Sequence, residues 1–474
     1  MRAPCFLILC CLLACQEPQQ GVELQGTWKS VGYGKYLQVG EDSYAFYDHV
    51  ARFCLPAEAG ELSAILPGME YRHDTLILQK GTGSYPYVRI DSLPLPCTRL
   101  PGNSLGKDPV YNFEVFAATF DEHFAYFRRN GIPWDSLRMA FRSRVHPEMS
   151  QEALYLLLDS LLVHLGDNHG SLEPDQGTWE AAQALLPPAA EDKQDESELG
   201  DFQVADRAAE TFLSKDLTSD SRILKWGLTA GGGGYIQLKA MWLFAEGDLD
   251  ATTLREEGFV EAYARRFQSL PEPAYIRAEA QGASHQIDRV MADLGEAPFI
   301  ILDIRFNGGG QDAVAAEVLR RFNDQRRFLG TKRAVAHPGY TPPDSLYLDA
   351  GERPYRRPVY LLTSRQTASA ADFFAFASLQ LPNVTRIGSP TQGAMSDALE
   401  KRLPNGWYFS LSNEVYLDPD RTCYETTGIP PDIFLEYPAE RQAFFRQVYE
   451  GAGADRERVM EVIRTLHPAD GAAK

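Results

Sequence analysis

One serine of the chain lies where its hydroxyl could act as a nucleophile. Ser369 belongs to the segment Thr367 to Asp372, which follows the predicted strand Val359 to Leu362 and opens a predicted helix that ends at Leu379. The positive end of a helix and its free backbone N–H groups can stabilise an oxyanion beside such a serine. Serine is also a common helix N-cap, so this segment alone leaves both interpretations open.

Three glycines follow a second apolar run. The predicted strand Phe299 to Leu302 leads into Asp303 to Gly310, which ends in Gly308, Gly309 and Gly310. Because glycine lets backbone amides approach a ligand closely, the N–H of Gly308 or Gly309 could supply a second oxyanion donor. A tight turn between a strand and a helix is the alternative interpretation.

Four segments, in chain order, resemble the motifs of the serine peptidase family that contains C-terminal processing proteases, tricorn core proteases and interphotoreceptor retinoid-binding protein. The family patterns are Leu-x-Asp-Gly-His, Asp-x-Arg-x-Asn-Gly-Gly-Gly, Ser-Ala-x-Glu/Asp and Glu-x-x-Gly-Ile-x-Pro-Asp. The matching segments here are Leu165 to His169, Asp303 to Gly310, Thr367 to Asp372 and Glu425 to Asp432. The resemblance covers roughly residues 108–437.

The resemblance implies a role for each matched residue. Ser369 matches the nucleophile, and His169 matches the general base of the tricorn branch, with Glu425 as the carboxylate that orients it. The oxyanion hole would consist of the N–H of Ala370 and that of Gly308 or Gly309. These roles are chemically coherent, because a serine needs a neighbouring base and an imidazole needs a group that fixes its tautomer.

Two departures from the family pattern bear on the base. C-terminal processing proteases use a Ser/Lys dyad with the lysine in Thr-x-Gly-Lys, whereas this chain has Ala394 at the lysine position. Alanine cannot take a proton, which favours His169 as the base. The nearest downstream lysine is Lys401, which is not expected to act in catalysis. Asn168 stands where tricorn has a serine before its histidine, and no PDZ-like segment is evident between residues 170 and 295.

The predicted fold class is α/β, with alternating strands and helices after about residue 295. The resemblance implies a crotonase/ClpP-like ββα core. A small antiparallel β-domain and a helical segment are expected to precede it, because short aromatic strands are followed by a helically spaced stripe. That stripe consists of Phe113, Phe116, Phe120, Phe124 and Phe127. The predicted organisation is a signal peptide (1–14), a lipidated tether (15–25), a β-domain (26–100), a helical segment carrying the base (108–190), the peptidase core (202–437) and a C-terminal helical tail (438–474).

The first residues are typical of an exported protein. Arg2 is followed by the apolar run Phe6 to Leu13, which is too short to span a bilayer, and by Ala14 and Cys15. Leu12 to Cys15 resembles the lipobox of bacterial lipoproteins, which implies cleavage before Cys15 and lipidation of its thiol. A plain secretory signal is the alternative. We expect a lipid-anchored protein of the bacterial cell envelope, periplasmic or surface-facing, with the outer membrane favoured over the inner.

Export into an oxidising compartment allows Cys54 and Cys97 to form a disulfide, and two free thiols are the alternative. The chain contains neither Cys-x-x-Cys nor His-Glu-x-x-His, so a metal site has no support in the sequence. No cofactor is expected.

The formal net charge of −19 disfavours binding to nucleic acid. The expected partner is a peptide or an unfolded protein, membrane contact would be through the lipid alone, and the oligomeric state is open. The predicted function is hydrolysis of peptide bonds through an acyl-enzyme. The alternatives are an esterase with the same triad and an inactive module that binds hydrophobic ligands or peptides.

Overall fold

The computed structural model describes residues 24–72, 74–98, 103–186, 198–219 and 221–466. The predicted signal peptide, Cys15 and most of the tether lie outside the described residues. Among the described residues no helix has the length and apolar character that a membrane span requires.

The first part of the chain forms an antiparallel sheet of seven strands, and we call it the N-terminal sheet. Its strands are β1 (Gly26–Ser30), β2 (Lys35–Val39), β3 (Ser43–Val50), β4 (Phe53–Glu61), β5 (Met69–Arg72), β6 (Thr75–Lys80) and β7 (Gly83–Ile90), in the spatial order β4-β3-β2-β1-β7-β6-β5. Trp28, Leu37 and Leu76 are fully buried and belong to its hydrophobic core. The short helices α1 (Leu62–Ile65) and α2 (Leu95–Thr98) flank the sheet, with a 3₁₀ turn at Leu66–Gly68.

A disulfide joins Cys54 in β4 to Cys97 in α2, which confirms the pairing that the sequence left as one of two alternatives. The bond closes a loop with a sequence separation of 43 residues.

A helical layer follows the N-terminal sheet. It contains α3 (Asn103–Gly106), α4 (Pro109–His123), α5 (Trp134–Arg142), α6 (Gln151–Leu165) and α7 (Gln176–Leu185). Asp108 caps α4 through bonds from two backbone N–H groups, and Pro109 takes the first helical position, where a missing N–H costs nothing. The aromatic stripe extends past this helix, because α4 ends at His123 while Phe127 packs from the following turn.

The remaining elements build the α/β part of the molecule. Its strands are β8 (Ser171–Glu173), β9 (Lys215–Asp216), β10 (Leu224–Leu228), β11 (Gly234–Leu238), β12 (Ile300–Asp303), β13 (Arg327–Ala336), β14 (Gly339–Tyr340), β15 (Asp344–Leu348), β16 (Val359–Thr363), β17 (Val384–Gly388), β18 (Ala398–Arg402), β19 (Tyr408–Ser412), β20 (Glu414–Leu417) and β21 (Ile433–Phe434). Its helices are α8 (Asp201–Phe212), α9 (Ala251–Glu256), α10 (Phe259–Tyr263), a π-helical turn (Ala264–Gln268), α11 (Glu272–Leu294), α12 (Asp312–Arg320), α13 (Ala370–Ser378) and α14 (Arg441–Leu466).

The central sheet has the strand order β21-β17-β16-β12-β11-β10-β9, and its strands from β11 to β21 run parallel. Every residue of β12 and of β16 is buried, as expected for strands covered on both faces. The three glycines Gly308 to Gly310, which we call the glycine segment, follow β12, and Ser369 follows β16. Since β12 and β16 are adjacent and parallel, both segments emerge at the same edge of the sheet.

The segment from Trp407 to Tyr416 contributes to two sheets. Strand β19 pairs with β18 and β8, whereas β20 pairs with β13. The chain changes sheets at Asn413, whose carbonyl accepts a bond from Val335 N–H. Partner strands that lie far away in the sequence decide this break, so the local pattern does not reveal it.

Candidate active site

Ser369 lies between β16 and α13 with a strained backbone. Its φ of 54° and ψ of −123° fall in a region that residues other than glycine rarely adopt. Helix α13 begins at Ala370, and Ser369 does not cap it through its side chain. This conformation leaves the Ser369 hydroxyl free to meet another group.

That group is the imidazole of His169. The His169 Nε2 atom lies 3.2 Å from Ser369 Oγ, within hydrogen-bonding distance. The structure thus brings together two residues that the sequence separates by 200 positions.

The loop that carries His169 is fixed on both sides. Helix α6 ends at Gly166, whose left-handed φ of 57° turns the chain out of the helix. Asp167 Oδ1 accepts bonds from the N–H of His169 (3.1 Å) and the hydroxyl of Ser412 (2.6 Å), and Asp167 Oδ2 accepts the N–H of Ser412 (2.8 Å). Asn168 Nδ2 donates to the carbonyl of Gly393 at 3.3 Å. Asp167 and Asn168 are therefore positioning residues, and sequence reasoning had assigned them no such role.

The surroundings of His169 favour the neutral imidazole. Burial lowers the pKa of His169, and the carboxylates of Asp167 and Asp397 only partly oppose this shift. A neutral Nε2 can accept a proton from Ser369. The other ring nitrogen, Nδ1, is buried and has no hydrogen-bond partner among the described residues.

Glu425 lies deep in the same region but is not joined to His169 by a hydrogen bond among the described residues. Its Oε2 atom accepts the N–H groups of Met395 and Ser396, each at 2.9 Å. Burial raises the pKa of Glu425 to about 8, so its carboxyl is mostly protonated at neutral pH. The predicted role of Glu425 in orienting the base stays a prediction.

The predicted oxyanion donors differ from one another in their bonding. The N–H of Gly309 donates to Asn307 Oδ1 at 2.9 Å, whereas no hydrogen bond among the described residues occupies the N–H of Gly308 or of Ala370. Gly308 is also exposed. Of the predicted donors, Gly308 and Ala370 are thus the two whose N–H groups have no such bond.

Gly309 has a steric role instead. A Cβ atom at Gly309 would lie 2.6 Å from Ser369 Cβ and 2.8 Å from the Ala368 carbonyl, and the φ of Gly309 is 108°. Only glycine fits this position. Asn307 holds the two segments together, because its backbone carbonyl accepts the N–H of Ala368 and its amide donates to the carbonyl of Leu238 at 3.0 Å.

The charged residues of the same motif hold the backbone in place. Arg305 donates to both oxygens of Asp303 and to Asp455 Oδ2 at 2.6 Å, and all three side chains are buried. The carbonyl of Arg305 accepts the hydroxyl of Ser364 at 2.6 Å. These contacts tie β12 to the turn before Ser369 and to helix α14, whose Asp455 was not identified as a partner from the sequence.

Lys401 and Lys332, two of the buried lysines, do not take the place of the missing dyad lysine. Ala394 is buried and its N–H donates to Asp372 Oδ2. Lys401 Nζ donates to the carbonyls of Tyr33 and Gly34 and to Asp48, all in or beside the N-terminal sheet.

Lys332, which sequence reasoning had not singled out, is paired with Asp397 at 3.1 Å and with Glu414 at 3.2 Å. Those carboxylates hold the pKa of Lys332 well above its usual range against the opposing effect of burial. It is therefore a fixed cation and not a base.

Ser369 opens into a cavity of about 1350 Å³. Gly308 to Gly310 line it together with Ser369, and the residues Asp397 to Glu400 also line it. Among the described residues no group of three or more His, Cys, Asp or Glu side chains is arranged to hold a metal ion.

Part of the chain is similar to known peptidases. Residues 272–435 match the model of peptidase family S41. The chain is also 28% identical over 140 residues to a carboxy-terminal-processing protease of Bartonella bacilliformis, an alignment that covers 29% of this chain and 31% of the relative. The match thus spans about a third of the length of that curated relative.

Two solved structures share the fold. A candidate peptidase from Parabacteroides merdae is 22% identical, with 77% of this chain and 99% of that chain covered and a TM-score of 0.55. Mature CPAF is 11% identical, with 78% and 99% covered and a TM-score of 0.53. The molecule therefore has the mixed α/β fold of these neighbours, and residues 272–435 resemble peptidase family S41.

Proposed function

We propose that this protein is a serine peptidase in which Ser369 is the nucleophile and His169 is the general base. The observation that carries the proposal is the 3.2 Å contact between His169 Nε2 and Ser369 Oγ. The family match of residues 272–435 and the free amides of Gly308 and Ala370 beside the serine support it.

The reaction follows from these positions. His169 takes the hydroxyl proton as Ser369 Oγ attacks the substrate carbonyl, and the resulting oxyanion accepts bonds from the N–H groups of Gly308 and Ala370. Collapse of this intermediate breaks the peptide bond, and His169 returns the proton to the leaving amine. Water, deprotonated by His169, then releases the acyl group and restores the serine.

Glu425 enters the proposal as a group that orients His169 indirectly. Two contacts support this indirect role. Asp167 lies close enough to Glu425 to raise its pKa, and the same Asp167 accepts the backbone N–H of His169. Glu425 would hold the segment Met395–Ser396 against the base loop, without supplying a negative charge to the imidazole.

The substrate is proposed to be a peptide or an unfolded protein. Charged and polar side chains line the cavity beside Ser369, including Lys239, Asp312 and Glu400, which favours a polypeptide over a hydrophobic ligand. The crotonase/ClpP-like nature of the core and the domain boundaries given above belong to the same proposal. The parallel order of β11 to β21 and the separate hydrophobic core of the N-terminal sheet support them.

The location in the cell envelope and the lipid anchor rest on residues outside the described part of the chain. Replacing Cys15 by Ser should release the protein from the membrane fraction of its native host. If the variant remains membrane-bound to the same extent, lipidation of Cys15 is wrong.

A fluorophosphonate probe tests the proposed nucleophile directly. We expect the probe to label the full chain at Ser369, as mapped by peptide mass spectrometry, and to leave the Ser369→Ala variant unlabelled. The exposed serine Ser345 provides the matched control, so Ser345→Ala should label like the parent protein. Labelling at another serine, or no labelling of the folded protein, would overturn the proposal.

A further inference from the structure

The N-terminal sheet, which lies outside the segment matched to the peptidase family, forms part of the cavity around Ser369. Tyr33, the turn Lys80–Thr82 and Tyr85 line that cavity together with the nucleophile and the glycine segment. The sheet is thus placed where it can contact a bound substrate.

Buried hydrogen bonds hold the sheet rigidly against the catalytic part. The hydroxyl of Tyr33 donates to Glu414 Oε1 at 2.6 Å, and the hydroxyl of Tyr85 donates to Asp397 Oδ2 at 3.2 Å. Lys401 of strand β18 also contacts the sheet, because its Nζ atom donates to the Tyr33 carbonyl at 2.7 Å. A wall fixed in this way can select among substrates, because it costs little reorganisation on binding.

The turn between β6 and β7 reaches across to the helices beside the glycine segment. Thr82 Oγ1 lies 3.4 Å from Asp312 Oδ2, and Lys80 forms an ion pair with Glu272 at the start of α11. Asp312 is the first residue of α12 and follows Gly310 by two positions. A chain whose carbonyl occupies the proposed oxyanion site therefore passes near this turn.

We propose that the turn Lys80–Thr82 is a specificity-determining wall of the substrate cleft, and that it admits extended, unfolded polypeptide. This inference rests on the proposed function. Because Thr82 contacts Asp312, the turn closes one side of the cleft, and a bound extended chain would lie along it. The N-terminal sheet thus selects the substrate, and the α/β part supplies the chemistry.

The test compares a large substrate with a small one. Thr82→Trp narrows the cleft away from the reacting atoms, so kcat/KM for fluorescein-labelled denatured casein should fall about tenfold, mainly through KM. Hydrolysis of p-nitrophenyl acetate and the rate of fluorophosphonate labelling should stay within about twofold of the parent protein. Val88→Trp is the matched control, since Val88 is exposed on β7 of the same sheet and outside the cleft, and it should behave like the parent.

Unchanged casein turnover in Thr82→Trp would overturn the inference, as would an equal loss of casein and ester hydrolysis. Far-UV circular dichroism checks the fold of each variant. If Thr82→Trp does not fold, Lys80→Ala decides, because loss of the pair with Glu272 should raise KM for casein and leave ester hydrolysis unchanged. Equal KM values for Lys80→Ala and the parent would then reject the wall. Absence of labelling in the parent protein would instead reject the proposed function.

Discussion

His169 Nε2 and Ser369 Oγ lie 3.2 Å apart although their segments belong to different layers of the molecule. The histidine follows helix α6 of the helical layer, and the serine follows strand β16 of the central sheet. Asp167 bonds to Ser412 of β19, so the sheet β18-β19-β8 holds the loop of His169 in place relative to Ser369.

Replacing His169 by Ala should reduce kcat at least about a thousandfold and leave the fold intact, because base and nucleophile act as a unit. Steady-state kinetics on a fluorogenic peptide measures the loss. Lys401→Met is the comparison variant. It should keep near-normal kcat per folded molecule, because Lys401 contacts the N-terminal sheet and not Ser369.

The buried position of Lys401 adds a cost that its sequence context did not predict. Lys401→Met should lower the free energy of unfolding by about 3 kcal/mol, because it breaks a buried ion pair with Asp48. A His169→Ala variant that retains most of its activity, beside an inactive but folded Lys401→Met, would return the enzyme to the Ser/Lys class.

The glycine segment offers a matched pair of substitutions. Gly309→Ala should abolish turnover, because the new Cβ would lie 2.6 Å from Ser369 Cβ on a backbone with a φ of 108°. Gly308→Ala should retain substantial activity, because no atom lies within 4 Å of the added Cβ and the N–H remains. Equal loss in both variants, measured as kcat with folding checked by circular dichroism, would contradict this division of roles.

The pH dependence of kcat/KM should report the buried base. Burial disfavours the charged imidazolium, so the neutral form of His169 persists to lower pH, and activity should rise through an apparent pKa below the ordinary value of about 6.5. The rise in kcat/KM should therefore occur at a lower pH than it would with a solvated histidine as the base.

Asp397→Asn should move the rise to still lower pH, because the Asp397 carboxylate raises the pKa of His169. Asp420→Asn, which changes an exposed carboxylate, should leave the profile unchanged. A profile that rises only through an alkaline pKa would contradict a histidine base.

Glu425 should make the protein less stable at alkaline pH. Its pKa is raised to about 8 by burial, against about 4.3 in the unfolded chain, so the folded state holds a proton that the unfolded state has lost. This contribution to the free energy of unfolding is fully present below the unfolded pKa and is lost as the pH rises through the folded pKa.

Urea denaturation at about pH 5.5 and about pH 8.5 measures this effect. Between these pH values the free energy of unfolding should fall less for Glu425→Gln than for the parent protein. Glu180→Gln, at an exposed position of α7, is the control and should fall as the parent does. If Glu425→Gln and Glu180→Gln show the same fall, Glu425 does not carry the effect.

The disulfide should contribute measurably to stability. Cys54 and Cys97 are 43 residues apart, and in the chain-entropy model a loop of that length is worth roughly 4 kcal/mol. The double variant Cys54→Ala/Cys97→Ala should lower the free energy of unfolding by a comparable amount, whereas replacing the free Cys423 by Ala should cost less. A non-reducing peptide map that finds both thiols free would contradict the bond.

The sequence by itself predicted the chemistry of the site and determined the order of its parts along the chain. Ser369, His169 and the glycine segment could be located because their residue types and their order along the chain match family motifs. The strands β12 and β16 could be located because both are continuous apolar runs. Such features depend on neighbours in the sequence, and local patterns carry them.

Only the tertiary structure decided which of these residues meet. It joined His169 to Ser369 through Asp167 and Ser412, separated Glu425 from a direct bond to the base, and gave the N–H of Gly309 to Asn307. It also placed the turn Lys80–Thr82 of the N-terminal sheet in the wall of the cavity around Ser369. Contacts between residues far apart in the sequence depend on how the sheets pack and on which strands pair. The local sequence pattern around one residue does not reveal which distant strand will pair with it.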